Sequence, residues 1–593
     1  MGAIFGFIGD GDMSLLRQMG ERLNHRGTSM RAWSPVSGVY LGKREPGFAV
    51  GSDDTNQPLL SVSAAIYNRE ALTAKLEARG RQLQSEQVQE LFQAAYEEFG
   101  TDCFAMFNGD FAVALWDENA SRLVLARDSM GARMLYYWHG PNCIAFATEY
   151  KALLALSELE ARPNLAALQY LQHAKYLPSG QTLLEGVHPV PAGHWLEAGR
   201  DEIIGHRYWK PEIKLRPISM QAAEQELRTL FLQAVAKRLP ATDRVGAELS
   251  GGIDSASVVA AMHRARPEQQ VKTFSIGSGP DDPEILGARV VADHLQTDHR
   301  EIFAGPESLP EVLPRVVWHM EDPIARTETV LYYQMMKEAN ADIDVALGGY
   351  ASDGLFAGLP RHKLVKLMQI APVGRKALEE FYHYTQASTP PQTLLGKAGK
   401  RMYYGKGEVP PPEILGAPVT SAPTPLPGQR RGLLNEVLLN GMRSGVASWL
   451  PKVEKTHAGA GVEFRSPFLD PDLIRFSLQL PERFKLRGFR DKLVLRRALV
   501  PLLPREVVKR PKFPQRMDYD LKLSEVLDGM ADEVLNPQQV RERGFFDPGQ
   551  IEILRRRPPG KAYGSNRAMH LWTAIATEFW ARQFLDQRGT DAS

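Results

Sequence analysis

The chain has 593 residues, too many for a single hydrophobic core, so at least two domains are expected. Hydrophobic residues make up 43% and charged residues 24%, as in soluble globular proteins, and the formal charge of +1 excludes the basic excess typical of nucleic-acid binding. With only Cys103 and Cys143, a disulfide framework is excluded and a reducing cytoplasm is favoured. No segment resembles a signal peptide or a membrane span, so no membrane partner is expected.

The first 210 residues predict a mostly β domain with a few helices. Short β-runs bounded by turn residues occur at Gly38–Gly42, Phe48–Gly51, Asp110–Trp116, Leu123–Ala126 and Leu135–Trp138. Apolar periodicity predicts helices at Ser85–Phe99 and around Leu165–His173. The segment Arg207–Pro211 is the predicted domain junction, so the first domain is expected to span residues 1–210.

From about Ser219 onward, predicted strands and helices alternate. Helices at Met220–Lys237, Ala256–Arg264 and Ile285–Leu295 separate strands at Arg244–Leu249, Val271–Ile276, near Arg300–Phe303 and at Asp344–Leu347. This alternation predicts βαβ units and a parallel sheet, followed by a largely helical tail, over residues 215–593. A Pro-rich stretch, Ser388–Gln429, is interpreted as an insertion or surface loop.

The most specific motif is the hexapeptide Ser250–Ser255, SGGIDS, between a predicted strand and a predicted helix. Two glycines let the backbone approach a polyphosphate, and the N–H groups at a helix N-terminus point at its charge. Hydroxyls of Ser250 and Ser255 add donors, and Asp254 can hold a Mg²⁺ ion that neutralises pyrophosphate. The motif is not a Walker loop, because Gly-Lys-Ser/Thr is missing. A plain tight turn is the alternative interpretation.

This hexapeptide resembles the PP-loop of ATP pyrophosphatases, and the rest of the chain resembles asparagine synthetases. The matching segments are Phe274–Gly277, Ala292–Leu295 with His299, Val462–Asp470, Lys492–Arg510 and Leu571–Leu585. The resemblance implies an α/β PP-loop domain that uses ATP and Mg²⁺. It places ATP contacts at Leu249, Ser250, Gly251, Gly252, Asp254, Ser255, Ile276, Gly348 and Gly349.

A second acidic loop, Leu347–Gly354, stands where asparagine synthetases carry "LSGEGSDE". By this match, Asp353 is the second Mg²⁺ ligand, opposite Asp254. Two carboxylates on neighbouring strand ends suit a cation that bridges phosphate oxygens. Taken alone, Asp353 fits a helix N-cap equally well.

Tyr350 replaces the glutamate that asparagine synthetases carry in this loop. β-Lactam synthetases have a tyrosine here, which acts with a glutamate to deprotonate the substrate's own amine. By position, Glu454 is the best candidate for that glutamate, while packing in the cleft is the alternative role of Tyr350. Lys512 matches a family lysine that stabilises phosphate and oxyanion charge, a surface position being its alternative. Lys492 is a weaker candidate and is interpreted as structural.

The N-terminal half resembles an N-terminal-nucleophile glutamine amidotransferase of class II, with an α+β fold of layered antiparallel sheets. The matching segments are His25–Gly27, Ile66–Asn68, Asn108–Phe111, Arg127–Asp128 and Phe146–Glu149. Glutaminases of this family begin Met-Cys-Gly, whereas residue 2 here is Gly2. The oxyanion-hole Asn-Gly pair is replaced at Ser63–Ala65, and the glutamine-binding Asp expected around Ser85–Glu90 is missing as well. The sequence therefore predicts a domain without glutaminase activity.

Without released ammonia, the attacking amine must come from the substrate, so the sequence predicts an amide-bond, or macrolactam, synthetase. Lasso peptide cyclases and β-lactam or carbapenam synthetases both fit this pattern. The chain length and the Pro-rich stretch favour a peptide substrate and lasso cyclisation in antibiotic biosynthesis. That resemblance implies a leader-recognition protein and a leader peptidase as partners. A tRNA-modifying enzyme is disfavoured by the neutral charge, and a non-catalytic scaffold by the intact PP-loop.

Overall fold

The computed structural model describes residues 2–46, 59–174, 176–177, 180–199, 202–324, 326–370, 432–510, 521–556 and 566–586. The chain divides into two compact units. Unit 1 comprises Met1–Asn164, Pro178–Pro211 and Ala447–Phe464, and unit 2 comprises Leu165–Leu177, Glu212–Val446 and Arg465–Ser593. The first unit thus takes in a segment from late in the chain, which the order of motifs along the sequence does not indicate.

The strands are β1 (Ala3–Gly9), β2 (Ser29–Trp33), β3 (Val39–Glu45), β4 (Leu60–Ile66), β5 (Gly109–Asp117), β6 (Arg122–Arg127), β7 (Tyr136–His139), β8 (Cys143–Ala147), β9 (Val187–Pro189), β10 (His194–Ala198), β11 (Ile203–Arg207), β12 (Val245–Glu248), β13 (Lys272–Gly277), β14 (Asp298–Phe303), β15 (Val345–Leu347) and β16 (Glu463–Arg465).

The α-helices are α1 (Met13–Glu21), α2 (Arg69–Glu77), α3 (Val88–Phe99), α4 (Leu165–Ala174), α5 (Met220–Ala236), α6 (Ile253–Ala265), α7 (Pro283–Leu295), α8 (Leu309–Met320), α9 (Glu328–Ala339), α10 (Ser352–Phe356), α11 (Pro360–Ile370), α12 (Leu433–Asn440), α13 (Ala447–Gly459), α14 (Pro471–Gln479), α15 (Glu482–Lys485), α16 (Leu493–Leu499), α17 (Arg505–Lys509), α18 (Leu521–Val534), α19 (Pro537–Arg543), α20 (Pro548–Arg556) and α21 (Asn566–Phe584).

Unit 1 contains two antiparallel sheets, as predicted for its N-terminal part. One sheet has the order β2-β3-β1-β8-β7-β9 and the other β11-β10-β6-β5-β4. Alternate side chains of both sheets, such as Ile4, Leu41, Ala112 and Leu125, share one buried core because successive residues of a strand face opposite sides. The opposite face of the second sheet packs against α2 and α3.

Unit 2 contains the predicted parallel sheet. Strands β14, β13, β12 and β15 lie side by side in that order and pair in parallel register. Helices α6 and α7 connect β12 to β13 and β13 to β14, which gives the expected βαβ units. The carboxyl ends of the strands therefore meet at one edge of the sheet, where open α/β sheets bind their ligands.

One helix boundary differs from its prediction at a position that matters for the site. The helix expected at Ala256 begins at Ile253, because Gly252 is the N-cap with extended backbone. Asp254 and Ser255 are thus in the first turn, where acidic and hydroxyl side chains are favourable.

Several predicted features lie outside the described residues. These are the strand Phe48–Gly51, the Pro-rich stretch Ser388–Gln429 and Lys512. In the ranges that the structure does describe, none of the helices combines the length and the apolar character needed to cross a membrane.

Candidate nucleotide-binding and catalytic site

The loop between β12 and α6 is shaped for glycine. Gly251 has φ of +64°, a conformation that residues with a Cβ rarely adopt. A Cβ atom at this position would also collide with the backbone of Gly287 and the guanidinium of Arg510. The sharp turn ends at Gly252, the N-cap of α6. The N–H groups in the first turn of any α-helix have no carbonyl acceptor within the helix, so they are available to a ligand. A polyphosphate fits this turn.

Two serine hydroxyls brace the same loop. Ser255 Oγ accepts a hydrogen bond from Ser250 N at 3.1 Å and donates one to Gly252 O at 3.2 Å. The hydroxyls of Ser250 and Ser255 are also 3.1 Å apart. These bonds hold the loop in shape, so the structure brings together the residues that the SGGIDS motif predicts.

The predicted metal ligands converge on a lysine. Lys492 Nζ lies 2.5 Å from Asp254 Oδ2 and 2.6 Å from Asp353 Oδ1. Burial lowers the pKa of Lys492, but the two carboxylates outweigh it and the net shift is upward. The residue has φ of +51° at the N-cap of α16. Lys492, which the sequence suggested was structural, therefore carries its charge into the centre of the site.

Neighbouring residues fix the two carboxylates. Ser352 Oγ donates to Asp254 Oδ1 at 2.7 Å, and a Cβ at Gly349 would lie 2.7 Å from Asp254 Cβ. A Cβ at Gly358 would collide with the side chains of Asp353 and Lys492. The site therefore requires glycine at positions 349 and 358, and only the first was singled out in the sequence.

The two aspartates fit a Mg²⁺ ion that is shared with a nucleotide. Neighbouring carboxylates suit this ion, which typically takes one or two carboxylates together with substrate phosphates, and Lys492 Nζ lies between the two. Within the described part of the chain, no group of three or more His, Cys, Asp or Glu side chains is arranged to hold a metal alone. Asp254 and Asp353 would hold the ion, and its charge would neutralise the pyrophosphate leaving group.

Tyr350 is held firmly at the second loop. Its carbonyl accepts a hydrogen bond from Ser466 Oγ at 2.8 Å, and the following residue, Ala351, has φ of +70°. The Tyr350 phenol is hydrogen-bonded to Tyr332, with ring centroids 6.3 Å apart. Burial raises the pKa of Tyr350 well above its usual value, and the neighbouring Tyr332 and then Glu248 add to this shift.

The other predicted nucleotide contacts lie around the carboxyl edge of the sheet. Leu249 N donates to Phe274 O at 2.8 Å, and Gly348 N donates to Arg465 O at 3.1 Å. Ile276 is buried in β13. Lys512 lies outside the described residues, so its role stays a prediction. The preceding Arg510 places its guanidinium against Gly251 and donates to Pro283 O.

Glu454 lies in unit 1, on helix α13. Its carboxylate binds the Arg26 guanidinium, with Nη2 and Oε2 2.9 Å apart and a second contact between Nη1 and Oε1. Arg26 also binds Glu149, which His25 and Lys151 contact as well. In the structure, the Glu454 carboxylate thus belongs to a buried ion pair. Its role as the base beside Tyr350 stays a prediction.

The structure also identifies carboxylates that the sequence reasoning missed. Glu248 and Glu328 interact electrostatically with Tyr350 and Tyr332. A charged residue within the otherwise apolar strand Val245–Glu248, directly before the loop, was the available signal. A buried carboxylate at a strand end is costly unless it has a partner or a function.

In unit 1, the residue at position 2 has no side chain that could act as a nucleophile. Residue 2 is glycine, and a Cβ there would lie 2.7 Å from Arg44 O, closer than such atoms approach in folded proteins. Gly2 O accepts a hydrogen bond from Ser63 Oγ at 3.0 Å. The backbone is therefore packed around glycine at the position where the sequence comparison expects a catalytic cysteine.

The chain matches known protein families over almost its whole length. Residues 226–582 match the family model described as asparagine synthase, and residues 1–209 match that of a glutamine amidotransferase domain. Asparagine synthetase (glutamine-hydrolyzing) 1 of Bacillus subtilis strain 168 is 26% identical over 612 residues, covering 97% of this chain and 94% of that protein. Asparagine synthetase (glutamine-hydrolyzing) 3 of the same strain is 26% identical, covering 80% and 77%. Carboxyethyl-arginine beta-lactam-synthase of Streptomyces clavuligerus is 28% identical over 479 residues, also covering 80% and 77%.

Proposed function

We propose that this chain, which belongs to the asparagine synthase family, activates a carboxylate with ATP and joins it to an amine of the same substrate. The observation that carries the proposal is the convergence of Asp254, Asp353 and Lys492 beside a glycine-shaped phosphate loop. A substrate carboxylate oxygen attacks the α-phosphorus of ATP and pyrophosphate leaves. The amine nitrogen then bonds to the carbonyl carbon, AMP leaves, and one proton is lost from the nitrogen.

Different residues of the site serve the two chemical steps. The loop N–H groups and the Ser250 and Ser255 hydroxyls hold the phosphates, and Lys492 stabilises charge on the leaving pyrophosphate. Lys512 serves the oxyanion of the second step, and Tyr350 receives the proton of the amine. A bound Mg²⁺ supplies charge neutralisation at the phosphates.

The source of the amine follows from unit 1. An ammonia-producing family member needs a nucleophile at residue 2, and Gly2 has no side chain to provide one. The packing against Arg44 O supports the interpretation that unit 1 releases no ammonia. The nucleophile is then an amine of the substrate, and the product is a lactam ring.

Two ring classes are candidates. The chain length and the Pro-rich stretch support a peptide macrolactam of the lasso type, made together with a leader-recognition protein and a leader peptidase. The similarity to carboxyethyl-arginine beta-lactam-synthase supports a small amino-acid substrate and a four-membered ring. In both classes the amine and the carboxylate belong to one molecule.

An exchange assay tests the activity. The protein is incubated with ATP, Mg²⁺ and labelled pyrophosphate, with carboxyethyl-arginine or with a linear peptide carrying a free amino terminus and a glutamate side chain. We expect label to enter ATP with one of the two probes, and mass spectrometry to show loss of water from that probe. Asp254→Asn should abolish the exchange, with the surface variant Asp293→Asn as control. Glutamate release from glutamine would contradict the assignment of unit 1.

A further inference from the structure

Two tyrosines of unit 2 form a hydrogen-bonded pair beside the phosphate loop. Tyr350 follows β15, and Tyr332 lies in the first half of α9. Their rings meet at 61° with centroids 6.3 Å apart, and a hydrogen bond joins the phenols. Both residues are only partly buried.

A carboxylate lies at the same edge of the sheet. Strand β12 pairs with β15 up to Ala247 and Leu347, so the next residue, Glu248, is level with Gly348 at the strand ends. Glu248 keeps only 7% of its surface exposed, and it interacts electrostatically with both phenols. It is the last residue but one before the phosphate loop.

Two other carboxylates act on the pair more weakly. Glu328, in the first turn of α9, interacts with both phenols, and Glu284, in the first turn of α7, interacts with Tyr332. Arg326 Nη1 lies 3.6 Å from Glu328 Oε1, so a cation partly offsets that charge. Glu248 is thus the strongest acidic neighbour of the two phenols.

The hydrogen bond and the nearby charges affect the two phenols differently. Burial, followed by the charge of Glu248, raises the pKa of Tyr332, and the pKa of Tyr350 is raised as well. The shared hydrogen bond raises the pKa of Tyr350 and lowers that of Tyr332, as expected if Tyr350 donates. A phenol that stays protonated at neutral pH accepts a proton only when it gives up its own.

We propose that Tyr332 and Glu248 complete a proton path from Tyr350 during amide formation, an inference that rests on the proposed ring closure. As the C–N bond forms and the C–O bond to AMP breaks, the amine proton passes to Tyr350 Oη. The Tyr350 proton passes to Tyr332, and that of Tyr332 passes to the Glu248 carboxylate, which becomes a neutral acid. Tyr350 touches the amine, and the other two are positioning residues that act through it.

The test compares Glu248→Gln and Tyr332→Phe with the matched control Glu338→Gln, a glutamate on the same helix as Tyr332 whose side chain is 55% exposed. Positioned acid–base groups contribute about 100-fold or more to rate. We expect each of the two path variants to slow product formation about 100-fold more than pyrophosphate exchange, with carboxyethyl-arginine or the linear peptide as probe. The control should keep the ratio of the unaltered protein within about 3-fold.

One further readout separates a proton path from a packing role. Hydroxylamine, which is uncharged near neutral pH, should trap the activated carboxylate as a hydroxamate equally well in Glu248→Gln and in the unaltered protein. Thermal unfolding monitors the folding of every variant.

The possible failures are distinct. If the unaltered protein exchanges pyrophosphate with neither probe, the proposed function falls, and this inference with it. If the unaltered protein makes product and Glu248→Gln makes it at the same rate, only the proton path is refuted. Loss of product in Glu454→Gln instead, with folding retained, would assign the base to Glu454.

Discussion

The ion pair between Arg26 and Glu454 makes a strong prediction about stability. Their side chains are 0% and 4% exposed, so neither charge is screened by solvent. Glu454→Gln leaves the guanidinium with a neutral partner, while Glu149 is shared with His25 and Lys151. Breaking a buried pair by removing one charge costs about 3–5 kcal/mol.

That cost is large enough to measure as a shift in melting temperature. For domains of roughly 150–250 residues, the size range of unit 1, each kcal/mol lowers Tm by about 2–4 °C. We expect Glu454→Gln to lower the Tm of unit 1 by about 10 °C in scanning calorimetry. The matched control is Glu97→Gln, whose partner Arg81 and own side chain are each 44% exposed, and it should lose less than about 1 kcal/mol.

The same variant separates two roles of Glu454. If the ion pair is its role, the double variant Arg26→Met with Glu454→Leu should recover most of the lost stability, because no unpaired charge remains. A Glu454→Gln protein with an unchanged Tm and a specific loss of ring closure would refute this reasoning. It would support the role as base that the sequence predicts.

Three further changes test the site and the fold. Gly2→Cys should destabilise unit 1 by about 1–3 kcal/mol in urea unfolding, because of the clash with Arg44 O, and should release no glutamate from glutamine. Lys492→Met should reduce pyrophosphate exchange at least about 100-fold, because the two aspartates and the pyrophosphate lose a buried cation. Burial lowers the pKa of Lys485 to about 7, so the unfolded chain binds more protons between about pH 7 and pH 10, and stability should rise with pH there. Lys485→Met should remove that rise in urea titrations at pH 7 and pH 9.

The shape of the loop Ser250–Ser255 could be predicted because it depends on residues that are adjacent in sequence. Glycines, hydroxyls and a carboxylate in Ser250–Ser255 require a loop at a helix N-terminus, and the structure has that loop in place. Parallel strands then bring Asp353 to the same edge. The predicted alternation of strands and helices in unit 2 is confirmed for the same reason, since it depends on periodicity within short segments.

Long-range partners could not be predicted in the same way. Lys492 is distant in sequence from Asp254, and only the fold places its ammonium between two carboxylates. Glu454 likewise meets Arg26, 428 residues away. A charged residue in an apolar context, such as Glu248, signals a partner without identifying it.

The position of helix α13 predicts that residues 212–593 need residues 1–211 in order to fold. The helix belongs to unit 1, where Glu454 and Lys455 are buried. From the helix the chain runs through β16 to Ser466, whose hydroxyl binds Tyr350 O at 2.8 Å. Deleting residues 1–211 removes Arg26, the partner of Glu454, and the tyrosine rings that contact Lys455. We therefore expect residues 212–593 alone to unfold or aggregate. Coexpression with residues 1–211 should restore pyrophosphate exchange, and full ring closure by residues 212–593 alone would contradict this dependence.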